Sequence, residues 1–366
     1  MSEQQQAQRI AIATGGGDCP GLNAVIRAVA KAAAKRAWET VGLLGGFEGL
    51  LEPRRFIALD YKGISGLLQR GGTILGTANR GKFSAKTGHG EARGLPAELI
   101  EQTKHGFEAL GLSALVSVGG DGTLSIAQQL HERGGMPIVA VPKTIDNDLA
   151  STLFTFGFDS AVACATDALD RLHTTAESHS RVMVLEVMGR YTGWIALFAG
   201  VAGGADVILI PEIPFRYESI CDKIQQRESQ GKPFTLIMVA EGAREKDGQF
   251  VTSATQEANR EARLGGIGVV VAAQVEKLTG KETRTCVLGH LQRGGGPTSF
   301  DRTLCSMFGA HAVEMIAAGD FGKMVAWQGD QISAVPIRDA VGRLKAVQPE
   351  SNMVRTARSL GISMGD

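Results

Sequence analysis

The chain has 366 residues, with 38 basic and 38 acidic side chains and 43% hydrophobic residues. This length suggests about two domains with a large buried core, and the composition is typical of a globular protein rather than a disordered chain or a membrane protein. Because the net charge is zero, the chain as a whole has no field that would hold nucleic acid or an anionic membrane.

The cysteines and the N-terminus indicate the cellular compartment. The five cysteines are widely spaced and include no CxxC pair, which argues against disulfides and structural zinc. The glutamine-rich N-terminus lacks the basic start and apolar core of a secretion signal, and glycines and Asp206 interrupt the longest apolar stretch, 194–210. We therefore expect a cytosolic protein that binds neither nucleic acid nor membranes.

Short apolar runs alternate with helical stretches, a pattern that indicates an α/β fold with mainly parallel sheets. The predicted strands are Arg9–Ala13, Ala114–Val118, Pro137–Val141, Arg181–Val187, Val207–Ile210, Phe234–Ala240 and Thr283–Leu288. The predicted helices are Asn23–Arg36, Glu98–Leu110, Leu124–Arg133, Ser160–Ser178, Tyr191–Ala202, Tyr217–Glu228, Gly268–Leu278 and Asp301–Ala318. No proline- or serine-rich linker separates two independent domains, so we expect the two lobes to exchange chain segments.

The first loop with chemical character is TGGGDCPG, residues 14–21, which follows the first predicted strand and precedes a helix. The backbone amides of such a loop, together with the helix N-terminus, can bind phosphate oxygens. The loop matches neither the P-loop nor the GxGxxG dinucleotide pattern, and a glycine-rich turn that serves packing alone is the alternative.

The second loop is GGDGT, residues 119–123, after the strand at 114–118. Its glycines allow phosphates to approach the backbone, and the Asp121 carboxylate at the tip of the strand can hold a hydrated magnesium ion that bridges them. The same run occurs in NAD kinases and lipid kinases. It therefore predicts a nucleotide or phosphate ligand more firmly than any one acceptor.

The third loop is PKTIDND, residues 142–148, which places Asp146 and Asp148 after the next strand. One carboxylate can deprotonate an attacking hydroxyl while the other orients it or shares the field of the metal. An Asx-rich turn that caps the following segment is the alternative. The neighbouring GGDGT loop favours the catalytic interpretation.

Several basic side chains follow at strand ends later in the chain. They are Arg181, Arg190, Arg284, His290 and Arg293. Guanidinium groups pair with phosphate oxygens and stay charged at any working pH, so the set suits a sugar phosphate. A single surface arginine is more often solvated or salt-bridged, and a single histidine is more often structural.

The segments GGGDCPGLNAVIR, GGDGT, PKTIDND, RVMVLEVMGRYTGW, AEG and LGHLQRGG stand in the order found in 6-phosphofructokinases. The resemblance extends from about Arg9 to about Pro336, and the stretch 337–366 carries no motif that we recognise. It implies a two-lobed phosphofructokinase-like fold in which each lobe is a mainly parallel sheet flanked by helices. Residues 1–157 with about 292–336 would bind the phosphoryl donor, and residues 158–291 with about 337–366 the sugar phosphate.

The resemblance also implies a reaction: Mg²⁺-dependent transfer of the terminal phosphoryl of ATP to the 1-hydroxyl of fructose 6-phosphate, a step of glycolysis. Asp146 would be the general base, Thr144 would lie near the transferred group, Asp148 would support the site, and Arg190 would stabilise the charge on the transferring phosphoryl. The Mg²⁺ ligand would be Asp121. The donor phosphates would be lined by Gly17, Arg80, Gly120, Gly122 and Thr123.

The resemblance assigns the acceptor site and the assembly as well. The sugar would be contacted by Thr144, Ile145, Asp146, Met188, Gly189, Arg190 and Glu241, and its 6-phosphate by His290, Leu291, Gln292 and Arg293. In the family, the arginines that match Arg181 and Arg284 come from a neighbouring subunit. A homodimer or homotetramer with shared active sites is therefore implied.

Two positions bear on the choice of phosphoryl donor, and they favour different donors. Gly122 leaves room for the α-phosphate and nucleoside of ATP, where similar pyrophosphate users have aspartate. Lys143 is the residue typical of pyrophosphate users. Because steric exclusion is nearly absolute whereas an added lysine is compatible with either donor, Gly122 favours ATP and pyrophosphate is the alternative.

Functions of other classes remain as alternatives. An NAD or lipid kinase would explain GGDGT but would leave MGR, LGHLQRGG and Glu241 without a role. A non-catalytic sensor of a sugar phosphate or nucleotide would need the binding loops, but not Asp121, Asp146 and Arg190 together. Sedoheptulose 7-phosphate is a further acceptor that the motifs allow, and the sequence leaves effectors and subunit number open.

Overall fold

The described residues of the computed structural model are 8–77, 81–83, 94–248 and 265–366. The chain divides into two compact units. Unit 1 comprises Met1–Ile145, Leu149–Asp159 and Arg293–Leu344, and unit 2 comprises Asp146–Asp148, Ser160–Gln292 and Lys345–Asp366. Neither unit is therefore a continuous segment of chain. Among the described residues no helix combines the length and apolarity needed to cross a bilayer.

The predicted α/β class is confirmed, and every predicted helix and strand is present with its ends within three residues of the predicted positions. The strands are β1 (Arg9–Thr14), β2 (Glu39–Leu43), β3 (Phe56–Ala58), β4 (Ala114–Gly119), β5 (Ile138–Pro142), β6 (Val182–Val187), β7 (Val207–Leu209), β8 (Thr235–Ala240), β9 (Thr283–Val287), β10 (Lys323–Gln328) and β11 (Gln331–Pro336). The helices are α1 (Leu22–Ala34), α2 (Ala97–Ala109), α3 (Asp121–Gly134), α4 (Phe158–His179), α5 (Trp194–Ala202), α6 (Tyr217–Ser229), α7 (Ile267–Thr279), α8 (Ser299–Ala317), α9 (Ile337–Ala340) and α10 (Asn352–Ser359). The sequence prediction missed β2, β3, β10, β11, α9 and α10.

Unit 1 contains a seven-stranded sheet in the order β11-β10-β5-β4-β1-β2-β3. The strands from β10 to β2 pair in parallel, and the β10–β11 and β2–β3 edge pairs are antiparallel. The β4 and β5 strands are buried along their whole length, as expected of parallel strands covered on both faces. Because β5, β4 and β1 are adjacent and parallel, the three loops that follow them leave the sheet at one edge.

Unit 2 contains a four-stranded, fully parallel sheet in the order β7-β8-β6-β9. The β6 and β8 strands are entirely buried, and the apolar faces of α6 and α7 complete the core through side chains such as Ile220, Ile224 and Val271. Val187 pairs with Ala240 at the carboxyl ends of the two central strands. The loops after β6, β8 and β9 are therefore neighbours.

In the C-terminal stretch the boundary between the two units falls after Leu344, whereas the sequence prediction placed it at about 337. Residues 337–344 belong to unit 1, because Ile337 and Ala340 are buried in its core with Leu124 and Val335. Residues 345–366 belong to unit 2. There Ser363 forms a parallel bridge with Val207 and extends the sheet beyond β7.

Candidate active site

The loops after β1 and β4 pack against each other through glycines. The Gly15 amide donates to the carbonyl of Val118 at 2.9 Å. A Cβ at Gly15 would lie 2.7 Å from the Thr123 side chain, and one at Gly119 would overlap the same side chain. Thr123 is therefore enclosed by the two loops, whose close approach depends on both glycines.

Lys143 connects these two loops to the loop after β5. Its ammonium donates to the carbonyl of Gly17, and its amide donates to the carbonyl of Gly119 at 2.9 Å. The residue is only 4% exposed. Two glycine-rich loops, the loop after β5 and one buried cation thus meet at the carboxyl end of the unit 1 sheet, an arrangement that suits phosphate oxygens.

Asp121 is the first residue of α3 and is half-buried. Its Oδ1 accepts from the amide of Gly342 at 2.7 Å, which orients the carboxylate. Gly120 precedes it, and a Cβ there would lie 3.2 Å from the Lys143 carbonyl. Gly122, the next residue of the helix, is also half-buried.

The donor set around Asp121 fits Mg²⁺ better than a metal held by protein alone. Within the part of the chain that the structure describes, no three His, Cys, Asp or Glu side chains gather as a metal cluster. Mg²⁺ is usually held by one or two carboxylates together with substrate phosphates and water. A single oriented carboxylate beside two glycine loops is consistent with that mode.

Threonine hydroxyls fix the segment before Arg80. Thr14 Oγ1 donates to the carbonyl of Gly76 at 2.9 Å, and the Thr77 hydroxyl donates to the carbonyl of Gly16. This segment is thereby held on the first glycine loop, whereas Arg80 itself lies outside the described residues. Sequence reasoning missed both threonines because hydroxyls that bond only to backbone leave no recognisable spacing.

A cleft with aromatic walls adjoins the first two loops. It is lined by Gly15, Gly16, Phe47, Phe83 and Thr123 among others. The centroids of the two phenylalanine rings are 5.6 Å apart with an interplanar angle of 49°. Phe47 is only 5% exposed, so its ring packs mainly against the interior and the cleft beside the two glycine loops is small.

Cys19 lies in the first glycine loop but is completely buried. Burial raises the pKa of its thiol to about 12, although the cations of Lys143 and Arg293 act in the opposite direction. The thiol therefore stays protonated at neutral pH and packs as a small apolar group.

The loop after β5 carries Thr144 and Ile145 at its unit 1 end. Thr144 is half-buried, and its carbonyl accepts from the Thr155 hydroxyl at 2.7 Å. Ile145 is 1% exposed. Its side chain is therefore part of the interior, and only its backbone is available to a ligand.

The next three residues of this loop belong to unit 2, and each is held there. The Asp146 carbonyl accepts from the Thr192 hydroxyl at 3.1 Å. Asn147 adopts a left-handed conformation with φ of 50°, and its Oδ1 accepts from the Lys345 ammonium at 2.9 Å. The Asp148 carbonyl accepts from the Lys345 amide at 2.9 Å. The carboxylate-bearing residues 146 and 148 are both half-buried.

The MGR and AEG loops of unit 2 are hydrogen-bonded to each other. The Gly242 amide donates to the carbonyl of Gly189 at 3.1 Å. Gly189 has φ of 139°, and a Cβ at Gly242 would overlap the carbonyl of Arg190. Both positions therefore require glycine, and the contact holds the two loops together.

A second cleft opens beside these loops. It is lined by Met188, Glu241, Gly266, Val287 and His290 among others. His290 is exposed in the 3₁₀ turn Gly289–Arg293. The structure thus gathers three sequence-predicted sugar-phosphate residues, Met188, Glu241 and His290, along one cleft of unit 2.

The other three predicted site residues of the LGHLQRGG motif have different surroundings. Leu291 is exposed. Gln292 is completely buried, and its Nε2 donates to the Gly289 carbonyl at 3.2 Å. Arg293 belongs to unit 1, where its guanidinium donates to the carbonyl of Asp18 at 3.1 Å. In this structure Arg293 therefore contacts the first glycine loop.

Arg181 and Arg284 lie at the opposite end of the unit 2 sheet. Arg181 precedes β6, and Arg284 is the second residue of β9. Both pair with Glu282, at 2.7 and 2.5 Å, and the hydrogen bond from Arg181 is the main cause that lowers the pKa of that carboxyl. The six residues of β6 span about 20 Å, so neither arginine reaches the cleft that contains Met188.

Known proteins with similar sequences and structures give a consistent result. The family model described as phosphofructokinase matches residues 9–316. The chain is 54% identical to the ATP-dependent 6-phosphofructokinase of Chloroflexus aurantiacus over 98% of both chains. It is 48% identical to the pyrophosphate–fructose 6-phosphate 1-phosphotransferase of Streptomyces coelicolor over 93% of this chain and 96% of that one. A solved Pichia pastoris phosphofructokinase is 30% identical with a TM-score of 0.78 over 98% of this chain, which spans only 39% of the yeast chain.

Proposed function

The chain belongs to the phosphofructokinase family, and we infer that it transfers the terminal phosphoryl group of ATP to the 1-hydroxyl of fructose 6-phosphate. The products are fructose 1,6-bisphosphate and ADP, and the reaction requires Mg²⁺. The enzyme is thus a 6-phosphofructokinase of glycolysis, for which we propose the cytosol as the compartment. Curated ATP-dependent relatives match nearly the whole chain, which carries this inference.

We assign donor binding to unit 1. The observation that best supports this assignment is the meeting of the loops after β1, β4 and β5 around the buried Lys143. Gly17, Arg80, Gly120, Gly122 and Thr123 would line the donor phosphates, and Asp121 would hold Mg²⁺. When bound, the metal would neutralise charge on those phosphates.

The similar proteins named as ATP-dependent 6-phosphofructokinases support a nucleoside donor, since they match nearly the whole chain. Lys143 favours pyrophosphate as the second candidate donor, and one similar protein is named for that donor. The ammonium of Lys143 is compatible with both, because each donor presents phosphate oxygens.

We propose that Asp146 is the general base. Its carboxylate would take the proton of the 1-hydroxyl while the sugar oxygen bonds to the terminal phosphorus and the bond to the leaving phosphate breaks. Thr144 would lie near the transferred group, and Asp148 would support the site. The guanidinium of Arg190 would stabilise the charge on the transferring phosphoryl.

We assign the sugar phosphate to unit 2. Met188 and Gly189 would contact the sugar through their backbone, and Glu241 would accept hydrogen bonds from its hydroxyls. His290 would meet the 6-phosphate, and the same role for Arg293, whose guanidinium contacts the Asp18 carbonyl in unit 1, stays a prediction from the sequence. Because the side chains of Ile145 and Gln292 are buried, we expect these two residues to contribute backbone contacts. We also expect backbone contacts from Leu291, whose side chain is exposed.

We further propose that the enzyme is a homodimer or homotetramer with shared active sites. Arg181 and Arg284 lie at the edge of the sheet away from the cleft of their own unit. Both are partly exposed and pair with Glu282 in this chain, and we propose that they exchange this carboxylate for the sugar phosphate bound to a second subunit.

The test is formation of fructose 1,6-bisphosphate by the purified protein with fructose 6-phosphate and Mg²⁺, in parallel reactions with ATP and pyrophosphate. We expect product with ATP, and no product from the Asp146→Asn control. Product with pyrophosphate alone would make Lys143 the decisive residue. A third reaction with sedoheptulose 7-phosphate and ATP tests the alternative acceptor.

A further inference from the structure

The first residues of the C-terminal segment of unit 2 contact the loop that carries the proposed general base. We propose that Lys345 is a positioning residue, which holds residues 146–148 in the conformation that presents the Asp146 carboxylate to the substrate hydroxyl. This inference rests on the proposed function, because it assigns Lys345 to the same site.

Lys345 binds two consecutive residues of the loop with two different groups. Its ammonium donates to Asn147 Oδ1 at 2.9 Å, and its main-chain amide donates to the Asp148 carbonyl at 2.9 Å. The Thr192 hydroxyl donates to the carbonyl of Asp146. The loop is therefore fixed at each of its three residues.

The conformation of Asn147 explains why the loop needs an external partner. A φ of 50° is uncommon for a residue with a side chain, although asparagine tolerates it better than most. Such a conformation persists when the surrounding structure stabilises it. The charge-assisted hydrogen bond from Lys345 supplies that stabilisation directly to the side chain of the strained residue.

Lys345 is itself held in place by neighbouring groups. Its carbonyl accepts from the Trp194 indole at 2.7 Å, and its Nζ lies 5.9 Å from the centroid of the same ring. Two residues later, the Val347 amide donates to Glu212 at 2.8 Å, and Glu212 also accepts from the Gly193 amide at the start of α5. Residues 345–347 are thus anchored at the start of α5, and from there Lys345 holds the loop of residues 146–148.

Burial of the lysine supports a specific role. Desolvation lowers the pKa of its ammonium from 10.5 to about 8, although the nearby Asp148 acts in the opposite direction. Removing an ammonium from water is unfavourable, so a lysine with no partner to serve would be expected to extend into solvent. We describe Lys345 as positioning rather than catalytic because we assign its effect to the loop, through Asn147 Oδ1 and the backbone of Asp148.

The first test compares Lys345→Met with Lys345→Arg and the wild type. Methionine keeps much of the side-chain length but removes the charge, whereas arginine remains charged and can still donate to Asn147. We expect kcat of Lys345→Met to fall about 10- to 100-fold with both KM values within about threefold, since misplacement of a catalytic group by about 1 Å costs on the order of 100-fold. Lys345→Arg should recover most of kcat.

Lys277→Met, which removes an exposed lysine of α7, is the matched control and should keep wild-type kinetics.

The second test is a double-mutant cycle with Asn147→Gly. Glycine accepts the left-handed backbone conformation but removes the acceptor of the Lys345 ammonium. If the lysine acts through Asn147, the double variant should be no slower than the slower single variant. Multiplicative losses would overturn the inference, because they would show that the two residues act independently.

Thermal unfolding separates positioning from a structural role. We expect Lys345→Met to melt within a few degrees of the wild type, and a parallel loss of activity and melting temperature would overturn the inference. If the wild type and the Lys345→Met variant are equally active, the inference is overturned but the proposed function is not. A wild type that is inactive with both donors would overturn the proposed function and the inference with it.

Discussion

Gly122 follows the carboxylate that we assign to Mg²⁺ and lies in the first turn of α3. Replacing it with aspartate would place a second negative charge beside the donor phosphates. We expect Gly122→Asp to lower kcat/KM for ATP by on the order of 100-fold or more, because the juxtaposition of like charges costs several kcal/mol. Initial rates with ATP and pyrophosphate measure the effect.

Gly122→Ala is the matched control for that substitution. The residue is not among those with positive φ, so alanine fits the backbone and adds no charge. We expect the alanine variant to retain most of its activity with ATP. Unchanged ATP kinetics in Gly122→Asp would mean that this position does not determine the donor.

The partly desolvated ammonium of Lys345 should make stability depend on pH in the alkaline range. Its pKa is lowered from 10.5 to about 8, so between these values the unfolded chain binds more protons than the folded chain. The contribution of this lysine to the unfolding free energy therefore rises as the pH increases from about 8 to about 10.5. Denaturant unfolding measures the free energy of unfolding of the wild type and of Lys345→Met. Across that range of pH we expect the value for the wild type to rise relative to the value for the variant. A difference that is constant with pH would contradict this expectation.

At the scale of elements, α8 depends on a side-chain cap. Thr298 Oγ1 accepts from the Asp301 amide at 3.2 Å and donates to Asp159 Oδ2 at 2.5 Å. We expect Thr298→Ala to lower the unfolding free energy by about 1 kcal/mol, a typical value for loss of an N-cap. Thr298→Ser retains the hydroxyl and should remain close to the wild type. Equal stability of the alanine and serine variants in chemical denaturation would show that the cap contributes nothing.

The elements that sequence reasoning missed share a physical cause. Strand β2 contains Gly42, a poor strand former, which is required there because a Cβ would overlap Leu75. The β10–β11 hairpin and α10 lie outside or at the edge of the recognised motifs, and α10 is only eight residues long. Strands β2 and β10 pair with strands that are distant in sequence, which periodicity does not report, whereas β11 pairs locally with β10.

In the candidate site, too, some features could be predicted from the sequence and others could not. Loops at the ends of buried strands were predictable, because apolar runs locate the strands and the parallel sheet brings their carboxyl ends together. The role of Lys345 could not be predicted, because this residue is 198 positions from Asn147 and belongs to no motif. The burial of Gln292 and the contact of Arg293 with Asp18 were also beyond the sequence, because both depend on how one short turn is oriented.

At the scale of the whole molecule, the position of Arg284 leads to a test of shared sites. We expect Asp146→Ala and Arg284→Ala to be nearly inactive separately and to recover activity when they are dissociated and reassembled in equal amounts. In a mixed pair one site contains both intact residues, so random pairing should restore roughly a quarter of the wild-type activity. Reassembly of Asp146→Ala with Asp146→Asn is the control and should restore none. A mixture that stays inactive would mean that Arg284 does not serve a partner's site.

The buried Cys19 has a consequence for the enzyme under oxidative stress. Peroxide and alkylating reagents attack thiolates, and a cysteine near two cations in an exposed loop would ordinarily be a reactive target. Because this thiol is enclosed and protonated, the loop is protected from sulfenic acid formation and from inhibitors that target cysteine. Carbon flow through this step should therefore continue at peroxide levels that inactivate enzymes with an exposed active-site thiol.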